Sequence, residues 1–109
     1  MAISYGFHPD ALTEYTEATR YYISEASLRV AGGFISAVES SIASLVSAPD
    51  RWRVVQGPEI RRCILKRFPF VVYYRWEARH QRITIYAIMH CSREPGYWNG
   101  RMGGRIGNG

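Results

Sequence analysis

Arg61-Arg62-Cys63-Ile64-Leu65-Lys66-Arg67-Phe68-Pro69-Phe70-Val71-Val72-Tyr73-Tyr74 reads as two strands and the corner between them. Pro69 has no N–H to give to a ladder and pushes Phe68 into extended geometry, so the chain turns there. Before the corner, Glu59 to Arg67 reads as a short strand carrying Arg61, Arg62, Lys66 and Arg67. Side chains alternate across a strand, so each face takes two of these four cations. After the corner, Phe70 to Glu77 is aromatic and β-branched, the composition of a strand packed on a core.

Working outward toward the C-terminus, Ala78 to Gln81 is short enough to be a hairpin loop. Arg82 to His90 follows, with Ile83, Ile85, Ala87 and Met89 alternating against Thr84, Tyr86, Ile88 and His90, so both faces of this strand are substantially covered. Toward the N-terminus, Pro49 and Asp50 end a helix whose apolar row is Phe34, Val38, Ile42 and Leu45 and which runs to about Ser47. Gly32 and Gly33 each cost that helix about 1 kcal/mol relative to Ala and permit close packing. Ser24 is placed to break or cap the preceding helix, whose face is Ala11, Tyr15, Ala18, Tyr22 and Ala26. Pro9 and Asp10 open it, since Pro suits a first turn and Asp favours its positive end. Ile3 to His8 alternates as a half-buried strand.

The order is β-α-α-β-β-β. An antiparallel sheet with a helical hairpin packed on one face is the α+β arrangement expected. Residues 1–101 make a single domain and the Gly-rich residues 102–109 a flexible tail.

The chain has 109 residues, a formal charge of +5 and a pI near 9.6. Such a surface suits a polyanionic partner, either nucleic acid or an acidic protein. Thirteen of its 14 cationic side chains are Arg and one, Lys66, is Lys. Arg forms bidentate contacts with phosphate and carboxylate, a bias toward recognition that a GC-rich genome would also produce. Cys63 and Cys91 lie at or beside apolar strands and are expected as buried free thiols. No signal peptide is visible and no run approaches 18 uninterrupted apolar residues, so a cytoplasmic protein without a membrane span is expected. His8, His90 and Cys91 have no metal-ligand spacing, and the chain shows no phosphate-binding glycine loop; neither metal nor cofactor is expected. His8 and His90 each end a strand, where a ring bonded to backbone is the simpler role.

Several motifs together resemble the RelE/ParE superfamily of toxins from type II toxin–antitoxin modules, and within it the ParE, plasmid-stabilisation branch. They are Glu14, Ala18 and Tyr21-Tyr22 on the first helix, Phe34 on the second, and Pro49 at its end. Arg61-Arg62, Arg67-Phe68-Pro69-Phe70, Tyr73-Tyr74 and the closing His90, Arg93, Pro95, Trp98 and Arg101 complete the set. The resemblance implies a toxin held inactive by a cognate ParD-like antitoxin whose acidic C-terminal segment wraps its helices and sheet, contacting DNA only through that antitoxin. Free ParE-type toxins poison DNA gyrase; RelE-type relatives cleave mRNA on the ribosome.

Arg61, Arg62, Lys66, Arg67, Arg93, Trp98 and Arg101 are the candidates for target contact. Trp98 lies in a turn-rich segment and serves either there or as a pin holding the C-terminal segment to the body. Tyr15, Tyr21, Tyr22 and Phe34 are the candidates for antitoxin contact, with Tyr15 and Tyr22 inside and Tyr21 nearer the surface, together with a sheet edge open to strand addition. Metal-free RNA cleavage needs a base, an acid and cations for the developing phosphorane charge. Arg61, Lys66, His90, Arg93 and Tyr97 are the residues for that alternative. The chain departs from the RelE pattern in its single Lys and in the placing of Tyr97, so the gyrase reading leads. A toxin reduced to a co-repressor of its antitoxin is a third reading.

Overall fold

A computed structural model describes residues 2–57 and 59–92. The elements are β1 (Ser4–Phe7), α1 (Pro9–Glu25), α2 (Leu28–Ser47), β2 (Val54–Gln56), β3 (Ile60–Ile64), β4 (Phe70–Glu77) and β5 (Arg82–His90). The arrangement is α+β, two helices against one five-stranded sheet of order β1-β5-β4-β3-β2. β2 is an addition to the expected elements: a strand of three exposed residues.

β2 to β5 form an antiparallel meander, but β1 joins β5 in parallel, with Ser4 opposite Arg82 and Phe7 opposite Ile85. The sheet is therefore mixed, not antiparallel throughout. Every connection reverses the chain, and an even number of reversals separates β1 from β5, so the two run the same way.

His8 is the N-cap of α1, its Nδ1 accepting from the Asp10 N–H at 3.1 Å, and Pro9 fills the first turn where a missing N–H costs nothing. The break between the helices falls at Ser27 rather than Ser24. Ser27 Oγ accepts from the Val30 N–H at 3.1 Å, whereas Ser24 Oγ donates to the Tyr21 carbonyl within α1. This displacement leaves Ala26 exposed at the C-cap, off the buried face. α2 is as long and apolar as a membrane span. Its stripe of Ala31, Phe34, Val38, Ile42 and Leu45 is nevertheless spent on the sheet, as for the core helix of an amphipathic pair.

The core on the helix side gathers Phe34, Val38, Ile42 and Leu45 of that stripe with Ala11, Cys63, Leu65, Phe70, Val72, Tyr74, Ile83, Ile85 and Ile88. A smaller cluster, Ile60, Val71, Tyr73, Tyr86, Ala87 and Met89, occupies the other face. A bulge decides this division on β5: Tyr73 pairs with Ala87 and Tyr74 with Ile85, leaving Tyr86 as the extra residue. The bulge flips the strand's phase, so Ile88 joins Ile83 and Ile85 beneath the helices. Simple alternation had put Ile88 on the opposite face.

β3 ends at Ile64, three residues short of the expected Arg67. Leu65 still bonds to β4, its N–H reaching the Phe70 carbonyl at 3.0 Å, but Arg67 takes a left-handed φ of 72° and turns the chain. At Pro69 the Phe70 N–H bonds back to the Phe68 carbonyl at 2.8 Å, a three-residue turn that proline's fixed φ suits. Lys66 and Arg67 thus sit in the β3–β4 connection, not on a strand.

Candidate partner-binding groove

The four cations of the opening stretch separate into different tasks. Arg61 is half-buried, and its guanidinium donates to the Asp50 carbonyl at 3.0 Å and the Trp52 carbonyl at 2.7 Å. It clamps the α2–β2 connection, which has no regular structure to satisfy its own carbonyls. Tyr74 clamps the same connection from the core, its hydroxyl donating to the Pro49 carbonyl at 2.8 Å, and burial pushes its pKa up against the lowering charge of Arg61. Arg62 lies opposite Tyr73, on the face away from the helices. Lys66 and Arg67 are exposed and face α2.

Between α2 and the β3–β4 connection run two adjoining cavities. One, of about 430 Å³, is lined by Val30, Gly33, Ser36, Ala37, Lys66, Arg67 and Phe68. The other, of about 290 Å³, is lined by Ala37, Ser40, Ser41, Ser44, Arg51, Trp52, Cys63, Ile64 and Lys66. Ala37 and Lys66 belong to both, so they form one groove. Arg51 stacks its guanidinium 5.0 Å from the Trp52 ring centre, which holds a cation at one end. The floor includes Cys63, whose thiol is pushed up in pKa by burial, against smaller lowering by a Ser41 hydrogen bond and the Arg51 charge.

The outer edge of the groove is an open strand. β2 pairs with Ile60 and Arg61 only, and the Arg53 carbonyl takes the Arg62 N–H at 3.2 Å. Beyond that point β3 has no strand on its outer side among the described residues. Ile64 stands there with 58% of its surface exposed, unusual for Ile on a strand.

The expected antitoxin contacts are placed unevenly. Phe34 is fully buried and, with Tyr22, Phe68 and Phe70, forms an aromatic cluster with ring centres 5.0–6.3 Å apart. Buried that way, Phe34 supports the surface from beneath and offers none of its own. Tyr15 and Tyr22, expected inside, are only part-buried where they pack against the core, and burial raises the pKa of both. Tyr21 is 60% exposed and edge-on to Tyr22.

Of the nuclease set, Arg61 is committed to backbone carbonyls and Lys66 lines the groove. His90 ends β5 with its Nδ1 accepting from the Ser92 N–H at 3.1 Å and 2.8 Å from Ser92 Oγ, while its ring stands edge-on to Phe70. Arg61 and Lys66 line different cavities, and His90 is engaged with Ser92. Arg93, Pro95, Tyr97, Trp98 and Arg101, and the boundary at residue 101, lie outside the described residues. Cys63 is buried as expected, but Cys91, just past the end of β5, is exposed. Among the described residues no cluster of three or more His, Cys, Asp or Glu side chains stands where it can hold a metal ion.

Sequence reasoning missed the serine wall of the groove and Arg51, and it expected an open sheet edge without placing it at Ile64. The wall had a signal: Ser36, Ser40 and Ser44 recur at steps of four, as do Ala37 and Ser41, a row of small residues beside the apolar row.

No curated protein sequence matches this one significantly. Among solved structures, the chromosomal ParDE toxin–antitoxin system of P. aeruginosa superposes with a TM-score of 0.69 at 16% identity, over 82% of this chain and 96% of that one. A mutant of E. coli toxin RelE in the free state gives 0.64 at 13% identity, over 97% and 99%. Isolated E. coli RelE gives 0.59 at 12% identity, over 97% and 99%. At these identities the likeness is one of fold. The family model described as "ParE toxin of type II toxin-antitoxin system, parDE" matches residues 5–95, and the chain belongs to that toxin family.

Proposed function

We propose that this toxin acts by binding proteins: free, it inhibits DNA gyrase in the cytoplasm, and an acidic antitoxin neutralises it and stabilises the replicon that carries the pair. The observation that carries the choice of binding over catalysis is the dispersal of the described nuclease candidates. RNA cleavage needs acid, base and cations within hydrogen-bond reach of one phosphate. Arg61 instead holds two backbone carbonyls, Lys66 faces α2, and His90 is engaged with Ser92. Membership of the ParE family and the solved ParDE system support the antitoxin as first partner.

Two assays on the same purified toxin test this. Loss of gyrase supercoiling with ribosome-bound mRNA left intact is the expected result. Cuts in ribosome-bound mRNA that vanish in Arg93→Ala or Tyr97→Phe would replace this reading with the nuclease one. A toxin harmless to growth without its antitoxin would leave only the co-repressor role.

A further inference from the structure

The smaller cavity beside α2 has a donor set of its own. Arg51 and Lys66 reach it from two different connections, α2–β2 and β3–β4, and Ser40, Ser41 and Ser44 line it from the helix. No Asp or Glu side chain lines it among the described residues. These serines differ from the hydroxyl residues of α1. Thr13, Thr16 and Thr19 each donate to the carbonyl four residues back, so their hydroxyls are spent on the helix itself. Ser47 likewise donates to the Ser44 carbonyl. Ser40 and Ser44 have no such bond among the described residues, which leaves two hydroxyl donors open to the cavity.

We propose that this cavity binds a phosphate dianion, as the free ion or as the phosphoryl group of a small phosphomonoester, with Arg51 and Lys66 supplying charge and Ser40 and Ser44 hydroxyl donors. A phosphoryl group carries roughly −1.5 to −2 charges near neutral pH and three strong acceptor oxygens. Two cations and two open hydroxyls match that better than they match the single charge of a carboxylate. The Arg51 guanidinium stands 5.0 Å from the Trp52 ring centre, so one donor is held before a ligand arrives. The Cys63 thiol on the floor is raised in pKa by burial and lowered in turn by a Ser41 hydrogen bond and the Arg51 charge. The floor is therefore neutral, and the field of Arg51 reaches into the cavity. A volume of about 290 Å³ lies at the small end of ligand pockets, which suits a phosphate with at most a small organic body. The site is independent of the gyrase and antitoxin readings above and holds whichever target the toxin acts on.

Protection of Lys66, the chain's single lysine, tests the site without a variant. Acetylation by acetic anhydride, read at that residue by mass spectrometry, is expected to fall several-fold in millimolar inorganic phosphate and to stay unchanged in chloride of matched ionic strength. Calorimetric titration of the full chain with inorganic phosphate should show saturable binding that Arg51→Gln or Lys66→Gln weakens at least tenfold. Ser40→Ala with Ser44→Ala should weaken it several-fold, and Arg79→Ser, in a different cavity, should leave it unchanged. Tighter binding of a nucleoside 5′-monophosphate than of inorganic phosphate assigns the phosphomonoester as ligand, and the reverse order assigns the free ion. Equal Lys66 acetylation in phosphate and chloride overturns the site. So does an affinity that Arg51→Gln and Lys66→Gln leave unchanged, or that Arg79→Ser lowers as much as they do.

Discussion

Glu14 shows how one side chain can stand in for a missing strand. β1 ends at Phe7, and after the His8 N–H meets the Ile85 carbonyl at 2.8 Å the outer side of β5 has no further strand partner among the described residues. The Ile88 N–H would be orphaned there under α1, on a residue only 1% exposed, and Glu14 Oε1 accepts from it at 3.0 Å. An unsatisfied buried N–H costs about 1–3 kcal/mol, so Glu14→Ala should lower the urea unfolding free energy by that amount. Glu14→Gln keeps a carbonyl acceptor and should recover most of it; equal losses in both would refute the role. Arg61 is the parallel case on the opposite side. Its loss as Arg61→Gln frees the Asp50 and Trp52 carbonyls, and a stability loss of roughly 1–3 kcal/mol is expected. A variant that lost gyrase inhibition at wild-type stability would instead make Arg61 a target contact.

At the scale of elements, β4, β5 and the end of α2 were legible because strong periodicity met clear punctuation at Phe70, Gln81 and Pro49. The end of α1 was not. Ser24 and Ser27 are equivalent as residue types, and packing of Tyr22 against Phe34 and Phe68 carries the helix past Ser24. The extent of β3 was misjudged for a similar reason: a run of cations says nothing of φ, and Arg67 adopts 72°. A side chain in that left-handed region costs about 1–2 kcal/mol that glycine avoids. Glycine's extra freedom in the unfolded chain offsets part of this. Arg67→Gly is therefore expected to raise stability by about 0.5–1 kcal/mol, read as a rise in Tm of several degrees. A fall in Tm would mean that the Arg67 side chain contributes contacts worth more than the backbone strain.

For the whole molecule, the β-α-α-β-β-β order was readable, while the bulge at Tyr86 and the parallel pairing of β1 came from three-dimensional closure that no local pattern encodes. The groove was half-readable: its cations and the serine row are in the sequence, but their convergence depends on how α2 lies across the sheet. That same packing makes global stability depend on alkaline pH. Cys63 and Tyr74 are held in the core with raised pKa values, chiefly through burial. Each is neutral when protonated, so the folded chain keeps a proton that the unfolded chain gives up once the pH passes about 9 for the thiol and about 10 for the phenol. Stability is thus fully present below those unfolded values and declines as pH climbs toward the folded ones, each group contributing a fall of about 1.4 kcal/mol per pH step of one. Under reducing conditions Tm should be flat from about pH 7 to 8.5, fall beyond 9 and steepen beyond 10, with Cys63→Val removing the first part of the fall. An unchanged Tm at pH 10.5, or a Cys63→Val profile identical to wild type between about 9 and 10, would mean that these groups meet water in the folded state.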